Sequence, residues 1–382
     1  MTTDVPFRLS AVGDISFEGS EADSPSVECF EDIVATFQQV DLVVANLECV
    51  LTSIGRDGIP GKCTLRSSPE WGQVLRKAGV GLVSLANNHT MDFGPVGLFD
   101  TMEALRQADV NFVGAGRNRD EACAPVFLDI AQRRVAFLAR STVTVSAPTY
   151  ATENIPGVAF LDIDQTVGAI RACRSRADLV VLMLHWGIEE YSYPSLAQRV
   201  LAKQLIEAGA SAILGHHPHV LQGVEQIGAG IVVYSLGNFV FNEFEWTYAL
   251  PGGEFLPQFA SLSSGNRDGV IATLEWSGGS VPTVTTVFTR IGHSGEVVVD
   301  SNPVRQNEWR TLCAGVSRCF YGMWWRWYAM RREWTLRLGD HASLTRVLGS
   351  LHRIRMQHIT RAFGSLLRSL RIVTEKSTNP YE

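Results

Sequence analysis

Five stretches of the chain place ligand-type residues directly behind a strongly apolar run. They are Ala11-Val12-Gly13-Asp14, Ala45-Asn46-Leu47-Glu48, Leu85-Ala86-Asn87-Asn88-His89, Leu184-His185-Trp186-Gly187 and Gly215-His216-His217-Pro218-His219. Carboxylates, an amide oxygen and imidazoles gathered at one place form a nitrogen/oxygen donor set suited to a divalent ion such as Mn, Fe or Zn. One or two such ions polarise a phosphoryl or carbonyl oxygen and supply hydroxide near neutral pH. The chemistry this predicts is hydrolysis.

Each residue also has a plainer reading. Asp14 follows a glycine that lets the backbone turn close to a ligand, but Asp is common in turns and N-caps. Glu48 is either a ligand or a solvated carboxylate at a strand end. In Asn88-His89, with Asp92 three residues on, the amide oxygen can ligate and the imidazole can protonate a leaving group. Asp92 would then fix the tautomer. The alternative is an Asn-rich turn bonded to its own backbone. A lone His185 on an apolar strand is ordinarily a core histidine, yet Gly187, Glu189 and Glu190 follow it as at a site mouth. His216, His217 and His219 are hard to bury without a metal or several hydrogen bonds. Pro218 is expected to keep its neighbours extended, letting His217 and His219 reach adjacent metal positions while His216 points elsewhere. Ser235-Leu236-Gly237-Asn238-Phe239 puts Asn238 either in the pocket or in a turn. No GxSxG elbow, Walker loop or GxGxxG occurs, so neither a serine triad nor a nucleotide cofactor is supported.

The elements that must position these residues alternate. Strands are predicted at Phe7–Val12, Leu42–Ala45, Gly81–Ala86, Leu179–Leu184 and 210–214; Leu42–Ala45 and Leu179–Leu184 are uniformly apolar, as in a parallel sheet covered on both faces. Helices are predicted at Val27–Val40, Pro69–Ala78 (with Gly79 as the stop), Pro95–Ala108, 164–176 and 195–208. Val126–Ile130 and Arg134–Ala139 form a hairpin turned at Ala131-Gln132. From residue 221 the pattern is mainly β, with 243–267 predicted as a long irregular binding loop. Alternation followed by β implies two packed sheets with helices outside. In open α/β sheets ligands bind beyond the carboxyl ends of the strands, where the five stretches lie.

Charge divides the 382 residues unevenly. Residues 1–308 carry 20 Lys/Arg against 35 Asp/Glu, whereas 309–371 carry 12 Arg against two acids. This asymmetry predicts a catalytic domain over 1–304 and a basic, Trp/Arg-rich helical extension over 305–382. Within the extension Leu344, Val347, Leu348, Leu351, Ile354 and their successors to Leu370 recur at helical spacing. A cap on the catalytic domain, a partner or dimer interface and a membrane-surface helix compete here; the breadth of the stripe weighs toward burial in protein and against a membrane. Seven cysteines without a CxxC, and no secretory signal or span of roughly 20 apolar residues, lead to the expectation of a cytoplasmic protein with free thiols.

Taken in order, Gly13-Asp14, Asn46-Leu47-Glu48, Asn87-Asn88-His89 with Asp92, His185-Trp186-Gly187, Gly215-His216-His217-Pro218-His219 and Ser235-Leu236-Gly237-Asn238-Phe239 resemble the CapA family. That family is named for poly-γ-glutamate capsule synthesis and looks like a branch of the calcineurin-like metallophosphoesterases. The resemblance covers residues 7–300 and implies a four-layer α/β/β/α sandwich. It implies Asp14, Glu48, Asn88, His185, His217 and His219 as metal ligands and His89 with Asp92 as the catalytic pair. Asn46, Asn87, Glu189, His216 and Asn238 fall to binding substrate or holding the ligands in place. Ser16 stands where the related pattern has a ligating His, and Glu48 where it has a bridging Asp. The function so implied is a metal-dependent phosphoesterase acting on an anionic, phosphorylated small molecule, with no nucleic-acid partner and room for a homodimer. Amide or peptide hydrolysis, or a non-hydrolytic accessory role in capsule-type polymer synthesis, are the alternatives.

Overall fold

The computed structural model describes residues 5–19, 25–55, 59, 62–143, 149–249, 255–279, 281–292 and 294–338. Among these residues two sheets face each other. The larger has eight strands, in the order Val297–Val299, Thr283–Ile291, Asp268–Trp276, Phe7–Ile15, Leu42–Leu47, Val80–Ser84 and Asn111–Val113, with Asn238–Val240 paired to Phe7–Ile15. The smaller has six, in the order Leu221–Ile227, Gly230–Leu236, Ala212–His216, Leu179–His185, Arg133–Ser141 and Val126–Ile130. The central strands of both sheets run parallel and antiparallel strands flank them. Parallel strands need both faces covered. One apolar layer, with Leu9, Val44, Phe137, Val181 and Leu214, fills the space between the sheets. A second, with Val43, Val83, Phe30, Leu75 and Met102, joins the outer face of the large sheet to its helices.

Side-chain parity explains how polar groups reach the seam. Phe7, Leu9 and Ala11 face the other sheet, whereas Val12 and Ile15 face the helices. The register with Leu42–Leu47 breaks between Ala11 and Asp14. This bulge turns Asp14 inward, where strict alternation would have put it beside Val12. Leu42–Leu47 needs no such device: Val43, Ala45 and Leu47 go outward, so Asn46 and then Glu48 follow Val44 inward. On the facing sheet Leu179, Val181 and Met183 lead to His185, and Ala212 and Leu214 lead to His216.

Most predicted elements occur within a few residues of their expected limits. The hairpin of Val126–Ile130 and Arg133–Ser141 turns at Ala131 and Gln132, both at positive φ. The helix expected over Val27–Val40 is a 3-10 turn, Val27–Phe30, followed by Glu31–Phe37. Residues 243–267 are not an irregular loop. Phe244–Ala249 and Phe255–Ala260 pair as an antiparallel ribbon, followed by a 3-10 turn, Gly265–Arg267. Phe244, Trp246 and Tyr248 carry the period of two that marks a strand, and a two-stranded ribbon tolerates Pro257 because both its strands are edges.

The chain divides into two compact units, residues 1–194 with 198–318, and residues 195–197 with 319–382. Helix Pro303–Val316 belongs to the first, where Trp309 is buried against Phe288. The second contains helix Tyr321–Leu338. The apolar stripe expected over 344–370 lies outside the described residues.

Candidate metal centre

The strand ends of the two sheets meet around two buried carboxylates, Asp14 and Glu48. Asp14 Oδ1 accepts a hydrogen bond from Asn46 Nδ2 at 2.9 Å, and Oδ2 accepts one from the His217 backbone N–H at 3.1 Å. His216 Nδ1 lies 3.3 Å from Oδ1 and His219 Nδ1 lies 3.4 Å from Oδ2. One strand of the large sheet is thus tied to the loop that ends a strand of the small one.

The close approach made by Gly13 is to backbone, not to a ligand. A side chain there would put its Cβ 1.9 Å from the Gly237 carbonyl oxygen, which accepts the Asp14 N–H at 3.1 Å. The backbone around Pro218 also departs from expectation. His217 and His219 have φ of +93° and +56°, so the segment curls rather than extends. Non-glycine residues take such conformations at a cost of about 1–3 kcal/mol, sustained where surrounding contacts over-determine them. Here the curl delivers the His217 N–H to Asp14.

Hydrogen bonds define which imidazole nitrogens are free to ligate. His219 Nδ1 is 2.9 Å from Asn238 Oδ1; since an amide oxygen only accepts, Nδ1 carries the proton. In the neutral ring His219 Nε2 is then the acceptor nitrogen, and it faces Glu48 Oε1 at 3.8 Å. Asn238 is itself held by the Asn266 carbonyl, to which its Nδ2 donates at 2.9 Å, and Asn266 Nδ2 donates to the His219 carbonyl at 3.1 Å. His185 Nε2 lies 2.7 Å from Asn88 Oδ1 and 3.5 Å from Glu48 Oε1, while its Nδ1 sits 3.4 Å from the Asn46 amide. The rings of His185 and His217 are 4.7 Å apart, and those of His217 and His219 are 5.7 Å apart.

Beside this cluster, His89 Nδ1 is 2.7 Å from Asp92 Oδ2, which also accepts the Leu65 N–H at 2.8 Å. The Lys62 ammonium bonds Asp92 Oδ1 and, at 2.5 Å, the Asn88 carbonyl. Asn87 shapes the same turn from within. Its Oδ1 accepts from His89 N–H, Thr90 N–H and the Thr90 hydroxyl, and its Nδ2 donates to Asn46 Oδ1 and the Leu47 carbonyl. Lys62 and Asn266 carry no motif in the sequence and were not singled out by it. Glu189 is exposed and reaches the site through its charge on Glu48 and His217.

Electrostatics divide the two carboxylates. Burial raises the Glu48 carboxyl well above its ordinary value, and the charges of Asp14, Glu189 and Asp92 push it the same way. Burial would also raise Asp14, but the hydrogen bond and charge of His216, the charge of His219 and the Asn46 N–H overcome it and hold Asp14 below the usual range. Burial, reinforced by the neighbouring imidazoles, keeps His185 well below its ordinary value; burial and His219 bring His217 down to about 4. At neutral pH these two rings are therefore uncharged, as metal ligation requires.

The donor set fits a divalent ion. Neither Glu48 oxygen has a hydrogen-bond partner among the described residues, although the side chain is fully buried. A buried carboxylate left so is costly unless a cation meets it. Two groups of ligand atoms each lie within 4.8 Å of one another: Asp14, Glu48 and His185, and Glu48, His217 and His219. Glu48 belongs to both, as a carboxylate shared by two positions would. Asn88 joins through His185. Ser16 contributes nothing to the cluster; its hydroxyl accepts from the Glu18 N–H at 3.4 Å. The His216 side chain approaches Asp14, with Nδ1 3.3 Å from Oδ1, and its Nε2 has no hydrogen-bond partner among the described residues.

Known proteins resemble the chain in the part that builds this cluster. Relatives include the capsule biosynthesis protein CapA of Bacillus anthracis, 40% identical over 187 residues, which are 48% of this chain and 45% of that protein. The PGA biosynthesis protein CapA of Bacillus subtilis is 31% identical over 228 residues, 57% of each chain. The chain thus spans about half the length of the curated relatives it matches. Among solved structures, the NAD nucleotidase NadN of Haemophilus influenzae aligns at a TM-score of 0.42 and 13% identity, covering 80% of this chain and 56% of that one. The family model described as bacterial capsule synthesis protein PGA_cap matches residues 8–243, the stretch that supplies every candidate ligand, and the chain belongs to that family.

Proposed function

We propose that this chain is a metal-dependent hydrolase acting on a phosphate ester. The observation that carries this reading is the fully buried Glu48 carboxylate, without a hydrogen bond among the described residues and faced by His185 at 3.5 Å and His219 at 3.8 Å. Asp14, Glu48, Asn88, His185, His217 and His219 would hold the metal. When bound, it would act as a Lewis acid and furnish hydroxide at neutral pH. The remaining roles belong to the chain. Asn46 and the His217 N–H hold Asp14 with both oxygens engaged. Asn238 keeps the proton on His219 Nδ1 and leaves Nε2 to ligate. Asp92 accepts the His89 Nδ1 proton, so a proton on His89 Nε2 can pass to a departing oxygen. His89 and His219 are partly open beside the buried Asp14, Glu48, His185 and His217, as groups that meet substrate must be.

The test pairs metal analysis with a screen of phosphate esters. His89→Ala is expected to keep its metal and lose turnover by roughly 10²- to 10⁴-fold. His217→Ala is expected to lose both. Full turnover in His89→Ala would remove the leaving-group role. A second reading, an accessory protein of capsule-type polymer synthesis, is favoured by Ser16, which stands where the related pattern has a ligating His and leaves the cluster one ligand short. A purified protein that takes up no transition metal would support it. Hydrolysis of a γ-glutamyl amide rather than any phosphate ester would instead shift the substrate within the same chemistry.

A further inference from the structure

Helix Tyr321–Leu338 divides its aromatic residues between two faces. Tyr321, Trp324 and Tyr328 form an inner row, buried or half-buried, with ring centroids 5.6 and 5.5 Å apart. Phe320, Met323, Trp327 and Met330 form an outer row and are exposed by 81, 71, 52 and 49%. Their steps of three, four and three residues place them on one line along the helix. Phe320 opens the helix, its carbonyl accepting the Met323 N–H. Exposed Arg326 and Arg331 flank the row, and the Arg331 guanidinium lies 5.6 Å from the centre of the Trp327 ring. A soluble surface rarely keeps four large apolar side chains in line without a partner.

Charge selects the partner. Residues 309–371 hold twelve arginines and two acids. The following segment of this chain, or a second copy of the same helix, would bring more arginines to a face that already has them. An anionic occupant is required. Phe, Met and Trp side chains in line on an exposed ridge can enter the acyl boundary of a bilayer. Arg side chains then reach phosphates at the headgroup level. No helix among the described residues is long and apolar enough to cross a membrane. This one would lie along its surface.

We propose that the outer face of Tyr321–Leu338 docks on a membrane surface rich in anionic lipid. The exposed row reverses the weight that the sequence alone placed against a membrane. The reading is independent of the hydrolase assignment, since it uses no residue of the metal cluster.

The test is co-sedimentation of the full chain with phosphatidylcholine vesicles, with and without about 30% phosphatidylglycerol. Partitioning is expected only with the anionic vesicles, and weaker in added salt. Arg326→Gln and Arg331→Gln should each lower it about fivefold. The triple variant Phe320→Ser, Met323→Ser, Trp327→Ser should lower it at least about tenfold with metal content and circular dichroism unchanged. Absence of binding to anionic vesicles, or equal binding to neutral ones, overturns the proposal. So does unchanged binding in the arginine variants, which applies even if the triple variant does not fold. A wild-type dimer that the triple variant turns into a monomer assigns the face to a second copy and also overturns it.

Discussion

Glu48 combines complete burial, no hydrogen bond among the described residues and three nearby negative charges, so its proton is a direct probe of the cluster. In metal-free protein its carboxyl titrates above the ordinary value, so between those two values the folded state holds a proton that the unfolded state has released. Stability must fall with rising pH across that window. His185 and His217 are shifted down and act oppositely: the unfolded state takes up more protons as pH falls below about 6.5, so their contribution rises with pH and levels off there. Above that point, and below about pH 8 where the Cys29, Cys49 and Cys63 thiols, raised by burial to about 12, begin to slope the same way, a remaining downward slope belongs to Glu48. Urea titrations of metal-free protein should show it, Glu48→Gln should flatten it, and a slope that persists in the variant would assign it elsewhere. Lys62 is a second probe. Lys62→Met strips a buried carboxylate of its ammonium partner, and a loss of about 3 kcal/mol is expected in the same titration, with Lys62→Arg retaining more of it. The residue scale is also where legibility in the sequence was uneven. Asp14, Glu48, Asn88 and the histidines stand behind apolar runs and can be read from spacing. Lys62, in Gly61-Lys62-Cys63, and Asn266 have no periodicity around them. Only the fold brings them to Asp92 and His219.

At the scale of elements, the bulge after Ala11 and the crossing of Gly13 over Gly237 determine where Asp14 points. Gly13→Ala should therefore separate those strands, costing about 2 kcal/mol and weakening metal binding by displacing Asp14. Gly168→Ala is the matched control. Nothing lies within 4 Å of the added Cβ in helix Ile163–Arg174, and the change should stabilise by about 0.5–1 kcal/mol. Equal effects at both positions would refute the crossing as the cause. Apolar runs and Pro/Gly punctuation were enough to place the parallel strands and outer helices, because burial on both faces leaves that mark. The bulge was not legible: a strand end at Val12 and a turn at Gly13 were expected, whereas the strand runs on to Ile15 and only the partner register shows the bulge. The ribbon over Phe244–Ala249 and Phe255–Ala260 was legible in its alternating aromatics. The length of the segment and its Gly/Ser content obscured that alternation. The curl at His217 and His219 contradicts a local preference set by Pro218 and exists because Asp14 lies opposite.

For the whole molecule, the ligands belong to two sheets. Asp14, Glu48 and Asn88 come from the larger and its loops, His185, His217 and His219 from the smaller. Between the sheets the contact is otherwise apolar packing, which resists separation but specifies position loosely. A bound ion would act as a rivet through the open edge of that sandwich. Metal at about 100 times its dissociation constant would add about 2.7 kcal/mol to unfolding, so the melting temperature should climb with metal concentration and fall with a chelator. Amide exchange should register the difference at the carboxyl ends of the strands, where removing the rivet lets the seam breathe, while their amino ends stay protected. An equal rise in exchange along whole strands would mean that the ion fastens nothing and only occupies space. The same placement sets an order of assembly: the ligand set cannot be completed until both sheets have formed and met, so the metal stabilises the finished sandwich rather than guiding its folding.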